Sequence, residues 1–382
     1  MRTRALQQDR GSAFARRLIG LVLASVMAST GCSSAVPRSA APSATVLGAT
    51  STNGVRSAGP SPRPAPSQSV TVVQPPGLIA YDRMEGAFGA EGPYLGTYIL
   101  RSDGTQERTL TVPIDVNVLT PVWSPNGSRL LLETWGAPGP ARPAVIGADG
   151  SDFVRFELPD VGGDVGCSDW LPDGELLACW VVGFTPDLDG IYTLRPDGTG
   201  LTRLTTSPFH FTEGSAGQCG GGDGRPVPSP DGSQIAFIRQ RCGTGANPSN
   251  DESAAIEVMN SDGTGLREIV PQGGVRSHPG SKLSWSPDGS TIAFGSQAGE
   301  LLLVRPDGAG LTQIRMPANV GGHHAYGPDW SPDGSRLVFS MYLDSTSSTE
   351  LFSIAPDGTE FARLTESDGA ENFASWGPPA GP

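Results

Sequence analysis

Trp285-Ser286-Pro287-Asp288-Gly289, followed closely by the apolar run Ile292-Ala293-Phe294, is the stretch that decides how this chain folds. Its chemistry is that of a tight turn. Serine suits the first turn position, proline presets φ at the second, and glycine accepts positive φ at the fourth. A type I turn completed by a left-handed glycine is a common connection between antiparallel strands. The apolar run is continuous rather than alternating, which marks a strand covered on both faces.

The same punctuation recurs along the chain. Trp123-Ser124-Pro125-Asn126-Gly127, Trp170-Leu171-Pro172-Asp173-Gly174, Pro228-Ser229-Pro230-Asp231-Gly232 and Trp330-Ser331-Pro332-Asp333-Gly334 are further copies, and Trp376-Gly377-Pro378 is a truncated one. Successive copies lie 45 to 58 residues apart. A second motif alternates with the first: Ser102-Asp103-Gly104-Thr105 is followed by copies at Asp149, Asp197, Asp262, Asp307 and Asp357. Each unit therefore reads as strand A ending in Trp, a turn, strand B, a variable loop, strand C, an Asp-Gly turn and strand D. Four antiparallel strands per unit, six times over, predict an all-β fold, a six-bladed β-propeller. A single blade cannot cover its own faces, so the tryptophans are expected to pack between blades. Gly77-Leu78-Ile79-Ala80-Tyr81 reads as a strand B without a strand A, and Phe373-Ala374-Ser375-Trp376 as a strand A with no strand B after it. The C-terminal strand is expected to join the N-terminal blade, residues 371–377 pairing with 77–83, and so close the ring.

These Trp-Ser-Pro-Asp-Gly and Asp-Gly-Thr repeats resemble those of the TolB-type, WD-like propeller family over residues 77–377. The resemblance implies a six-bladed propeller outside the cytoplasm and, by analogy with TolB itself, partner binding without enzymatic chemistry. The extra N-terminal α/β domain of TolB has no counterpart in the sequence, so its envelope-spanning role does not carry over. Pro228 stands where the other copies have Trp.

Composition agrees with short strands and tight turns. Glycine (52) and proline (35) make up nearly a quarter of the 382 residues, which disfavours long helices. Charge is unevenly spread: residues 1–31 carry five Arg against one Asp, residues 33–76 carry Arg38, Arg56 and Arg63 with no acid, and residues 77–382 carry 18 basic against 38 acidic residues. A domain at net −20 repels phosphates, which excludes nucleic acid as an expected partner.

The N-terminus has the form of an export signal. Five arginines precede an apolar run, Leu18 to Ala28, that spans about 17 Å as a helix, too short for a bilayer core. Arg16-Arg17 leaves general and twin-arginine export both open. The run ends in Ala28-Ser29-Thr30-Gly31-Cys32, which resembles the lipobox of bacterial lipoproteins, with Ser29 where leucine is usual. That resemblance implies a signal peptide over residues 1–31, lipid attachment at Cys32 and an anchor in the bacterial cell membrane. Residues 32–76, with eight Pro and nine Ser, are read as a tether, 77–377 as the propeller and 378–382 as a tail.

Four further cysteines remain. Cys167 and Cys179 flank the turn at Asp173 symmetrically, and Cys219 and Cys242 flank the one centred on Pro230 and Asp231. Residues so placed face each other across two strands, and the expected disulfides are Cys167–Cys179 and Cys219–Cys242. The short A–B and C–D turns are assigned to one face and the long B–C and D–A connections to the other. The latter hold all four histidines, His210, His278, His323 and His324, and form the expected binding face. His278 and His323 each lie seven residues before a Trp. No cofactor and no metal are expected, because two equivalent histidines supply only half of a usual ligand set. No Gly-x-Ser-x-Gly elbow and no phosphate-binding loop occur in the sequence. The leading expectation is a monomeric, lipid-anchored module that binds an envelope protein or a glycan. The competing one is a metal-dependent carbohydrate lyase or hydrolase built on the histidines.

Overall fold

The computed structural model describes residues 77–379 except 86–92, 113–116, 136–139, 159–160, 162, 184–187, 208–221, 242–252, 272–281, 297, 319, 321 and 344–347. The chain opens with β1 (Leu78–Glu85), β2 (Tyr94–Arg101) and β3 (Arg108–Leu110). Four antiparallel four-stranded sheets follow. They are β4 (Asn117–Trp123), β5 (Arg129–Trp135), β6 (Arg142–Gly147) and β7 (Val154–Arg155); β8 (Gly163–Trp170), β9 (Leu177–Gly183), β10 (Gly190–Leu194) and β11 (Thr202–Arg203); β12 (Gly222–Pro228), β13 (Gln234–Arg241), β14 (Ser253–Asn260) and β15 (Arg267–Val270); and β16 (Leu283–Trp285), β17 (Ile292–Gly295), β18 (Leu301–Val304) and β19 (Thr312–Gln313). Last come β20 (Gly322–Trp330), β21 (Leu337–Leu343), β22 (Ser348–Ile354), β23 (Ala362–Arg363) and β24 (Gly369–Trp376). The first three and last five strands share one eight-stranded sheet, joined by β24 to β1 and by a single parallel pair, Thr349 with Ala370, between β22 and β24. The described residues contain no α-helix. The protein is an all-β propeller.

Every Ser-Pro-Asp-Gly copy folds as its residues dictate. The glycines Gly127, Gly174, Gly232, Gly289 and Gly334 all lie at φ between 70° and 73°. Each donates its amide to the carbonyl three residues back, as Gly289 does to Ser286 at 2.8 Å. The aspartate then locks the corner from inside. Asp288 Oδ1 accepts from Ser286 Oγ at 2.6 Å and from the Ser290 amide at 3.0 Å, while Ser286 Oγ accepts from the Thr291 amide at 3.0 Å. These hydrogen bonds hold the Asp231 carboxyl at about 2 and push those of Asp288 and Asp333 below the usual range. The Asp-Gly-Thr turns use the same device, with Asp103 accepting from the Thr105 amide at 2.9 Å and its hydroxyl at 2.6 Å.

The core is the space between sheets. Ile79 of β1, and Leu130, Leu132, Leu177, Phe237, Phe294 and Phe339 from the apolar runs after the turns, are fully buried. The tryptophans that precede the turns lie between neighbouring sheets, as expected, and are 5 to 8% exposed. The strands ending in these tryptophans, β4, β8, β16, β20 and β24, together with β12, which ends in Pro228, pack each against the next, and β24 also packs against β4. The turns touch likewise: Pro172 packs on Gly232, Pro230 on Gly289, Pro287 on Gly334 and Pro378 on Gly127. The C-terminal strand pairs with the first one in the expected register, Ile79 opposite Trp376 and Arg83 opposite Glu371.

Candidate functional site

The strand ends and turns surround a funnel of about 380 Å³. Its wall is made of Trp123, Trp170, Trp285, Trp330, Trp376 and, in the column where the repeat breaks, Pro228. Deeper in, a narrow neck is lined by Thr120, Ser168, Arg225, Lys282 and Phe373. Thr120, Arg225 and Phe373 each lie three residues before the wall position and have φ between 52° and 54°. Left-handed backbone at non-glycine residues is costly. Here each residue sits at a bulge in its strand, between Leu119 and Val122, between Gly224 and Val227, and opposite the Ala80/Asp82 step. The bulge turns the strand so that it can follow the wall of the funnel.

Polar side chains just before the tryptophans link one sheet to the next. Ser375 Oγ accepts the Trp123 amide at 3.4 Å, Ser284 Oγ accepts the Trp330 amide at 3.2 Å, and Asp329 Oδ2 accepts the Trp376 amide at 2.9 Å. Ser284 also donates to Asp329 at 2.7 Å, and Lys282 Nζ lies 2.9 Å from the same carboxylate. Where that position is valine the indole takes over. Trp170 Nε1 donates to the Val122 carbonyl at 3.2 Å and Trp285 Nε1 to that of Val227 at 3.1 Å.

Asp169 occupies the same position and is the exception. The residue it would cap on the next sheet is Pro228, which has no N–H to give. Its carboxylate folds back onto the amide of its own Trp170 at 2.8 Å, and no cation lies within ion-pair range among the described residues. Burial, reinforced by the charge of Asp329, raises its carboxyl to about 7 against the opposing pull of that amide and of Lys282. The funnel therefore holds one carboxylate that makes no hydrogen bond to the neighbouring sheet among the described residues.

Two other buried clusters are structural. Arg239 binds Asp223 through both carboxylate oxygens at 2.7 and 2.8 Å and reaches Glu257 at 3.2 Å. Three units away Arg83 binds Glu371 at 2.8 Å in the same register of strands A and B. In each place a threonine two residues after the preceding strand D reaches the acid, Thr205 to Asp223 at 3.1 Å and Thr365 to Glu371 at 3.4 Å. The matching stretches Leu201-Thr202-Arg203-Leu204-Thr205-Thr206-Ser207 and Phe361-Ala362-Arg363-Leu364-Thr365-Glu366-Ser367 are the sequence signal for this clamp. Burial, with the charge of Glu350 adding to it, raises Glu371 to about 7. Asp82, buried beneath the Thr120 amide at 2.5 Å, is also raised well above the carboxylate range by burial.

The residues singled out from the sequence fall as follows. Cys167 and Cys179 face each other across β8 and β9 and form a disulfide. Cys32, His210, Cys219, Cys242 and His278 lie outside the described residues. His323 and His324 do not sit on a loop as expected but in β20, with His323 paired to Tyr342. With a bulge between His323 and Ala325 the strand begins upstream of the point where the repeat would start it, and His324 takes φ 60° there. No group of three or more His, Cys, Asp or Glu suited to a metal occurs among the described residues. The funnel on the short-turn face was missed. Its signal, Pro228 in a column of tryptophans opposite Asp169, was present in the repeat.

The polar residues of the repeat named above are spent on turns and on sheet-to-sheet contacts, around a lined funnel, in an all-β propeller scaffold. The sequence profile described as TolB beta propeller domain matches residues 94–378, and the chain belongs to that family. Among solved structures, TolB from Acinetobacter baumannii is similar at 17% identity, covering 79% of this chain and 67% of that one, with a TM-score of 0.58. The putative TolB from Agrobacterium tumefaciens is similar at 17% identity, covering 79% and 99%, with a TM-score of 0.53. A chain of the nidogen/laminin complex is similar at 9% identity, covering 79% and 99%, with a TM-score of 0.56. These likenesses concern the fold. No curated protein matches the chain.

Proposed function

We propose that the protein is a lipid-anchored, extracytoplasmic six-bladed propeller that binds an envelope protein or a glycan and performs no covalent chemistry. The eight-stranded sheet is read as two blades, β24-β1-β2-β3 and β20 to β23, with β24 closing the ring. Packing of β24 against both β4 and β20 supports this reading. The observation that carries the binding function is the use of the side chains. Among the described residues, buried and half-buried acids and bases such as Asp223, Arg239, Glu371, Arg83 and Asp329 pair across strands and sheets rather than converge on a vacant reaction centre. The Cys167–Cys179 disulfide suits an oxidising compartment outside the cytoplasm.

Two measurements test this. Fatty-acid labelling should mark the wild-type chain and not Cys32→Ala, which should leave the membrane fraction; equal membrane retention of the variant contradicts the anchor. Elemental analysis should find no stoichiometric metal. Bound metal that disappears in the His278→Ala/His323→Ala variant would replace the binding reading with the lyase or hydrolase one.

A further inference from the structure

The chain enters the propeller at the funnel. Gly77 precedes β1, and a Cβ built on it would lie 2.8 Å from Trp376 Nε1 and 2.8 Å from the Gly377 carbonyl. Whatever precedes Gly77 therefore starts beside the ring of indoles. The rim of that ring is proline: Pro125, Pro172, Pro230, Pro287, Pro332 and Pro378 all line the funnel and are exposed or half-buried. Inside it, the Asp329 carboxylate is matched by Lys282, and that of Asp169 has no ion pair among the described residues.

The sequence just upstream has the complementary chemistry. Pro60-Ser61-Pro62-Arg63-Pro64-Ala65-Pro66 is basic, proline-rich and carries one arginine at its centre. Such a composition favours an extended polyproline II backbone, which aromatic- and proline-lined grooves recognise at little entropic cost. The 14 residues from Arg63 to Gly77 can span at most about 46 Å fully extended, so a return to the adjacent mouth is within reach. A linker this short holds a segment at millimolar effective concentration.

We propose that residues 60–66 dock in the funnel of their own domain, with the Arg63 guanidinium paired to Asp169. The charges match, since residues 33–76 carry three Arg and no acid while the propeller carries net −20. A guanidinium also suits the planar Asp169 carboxylate, which has no ion pair among the described residues and shares the funnel with the unpartnered indole N–H groups of Trp123, Trp330 and Trp376. Docking would turn the short-turn face toward the anchor and leave the opposite face free. This inference stands apart from the proposed ligand, although both use the tether.

The test uses the full-length chain in detergent with the photoreactive amino acid p-benzoylphenylalanine in place of Ala65. Irradiation should give crosslinks within one chain to residues 123–127, 170–174 or 376–378. The yield should fall at least fivefold with Arg63→Glu and with the isosteric Asp169→Asn, and recover in part with Arg63→Lys. Arg63 lies outside the propeller, so its variants read the contact without touching the fold. Crosslinks between two chains would assign the funnel to a second copy and overturn the proposal. So would crosslinks elsewhere, no crosslinks, or mouth crosslinks indifferent to Arg63.

Discussion

The junction between β20 and β24 and the junction between β8 and β12 are built from the same repeat and end differently. In the first, Asp329 reaches across and caps the Trp376 amide. In the second, Asp169 reaches toward Pro228 and finds no donor. The difference is one missing hydrogen, and it leaves the Asp169 carboxylate on its own Trp170 amide, without a bond to the next sheet among the described residues. The general lesson is that repeated residues in this chain serve geometry, and chemistry becomes available where the repeat fails.

The largest disruption of the repeated part is loss of β24. Deleting residues 370–382 removes Glu371, the β1 pairing and the packing on β4, and should abolish cooperative unfolding in denaturant; a deletion variant as stable as the parent would refute the role of that strand. Next comes the Arg239–Asp223–Glu257 cluster, whose charges are at most 8% exposed. Asp223→Ala leaves a buried guanidinium short of its partner and should cost about 3–5 kcal/mol by chemical denaturation. Glu371→Ala, in the matching cluster, should cost less, because Arg83 keeps its ion pair to Glu107 at 2.8 Å. Near-neutral results at both would make the clamps incidental. Replacing Cys167 and Cys179 together by alanine should cost about 3 kcal/mol, the value for a short closed loop. An unchanged denaturation midpoint would show that the strands need no covalent tie.

Stability should also pass through a maximum with pH. Asp231 and its turn counterparts have lowered carboxyls, so their contribution is complete above about pH 4 and fades as pH falls toward 2. Asp169 and Glu371 have raised ones, so the folded state holds protons that the unfolded chain has released, and stability falls as pH rises from about 4 to about 7. The two windows place the maximum near pH 4 to 5, to be read from denaturation midpoints between pH 2 and 8. A monotonic rise from acid to neutral pH would contradict the raised group.

How much could be read beforehand follows the same division. The turns, the apolar strands, the Cys167–Cys179 pair and the partnership of β24 with β1 were legible because each is written in local spacing. The clamps were not, since Arg83 and Glu371 are 288 residues apart and only the register of two strands brings them together. His323 and His324 were assigned to a loop because a bulge, which leaves no mark in apolar periodicity, extends β20 past the expected start. The isolation of Asp169 depends on what a proline 59 positions away lacks, and becomes visible only when the junctions are laid side by side.

That isolation is open to one direct measurement. In carboxyl-carbon NMR of the native protein one aspartate should titrate near pH 7 and vanish from the spectrum of Asp169→Asn. In Pro228→Ala, which restores an N–H, the same resonance should move toward the ordinary aspartate value near 4, with a gain of about 1 kcal/mol from the recovered hydrogen bond. An Asp169 that titrates normally in the native protein, or that ignores the Pro228 substitution, would contradict the claim that the broken repeat sets this carboxylate free.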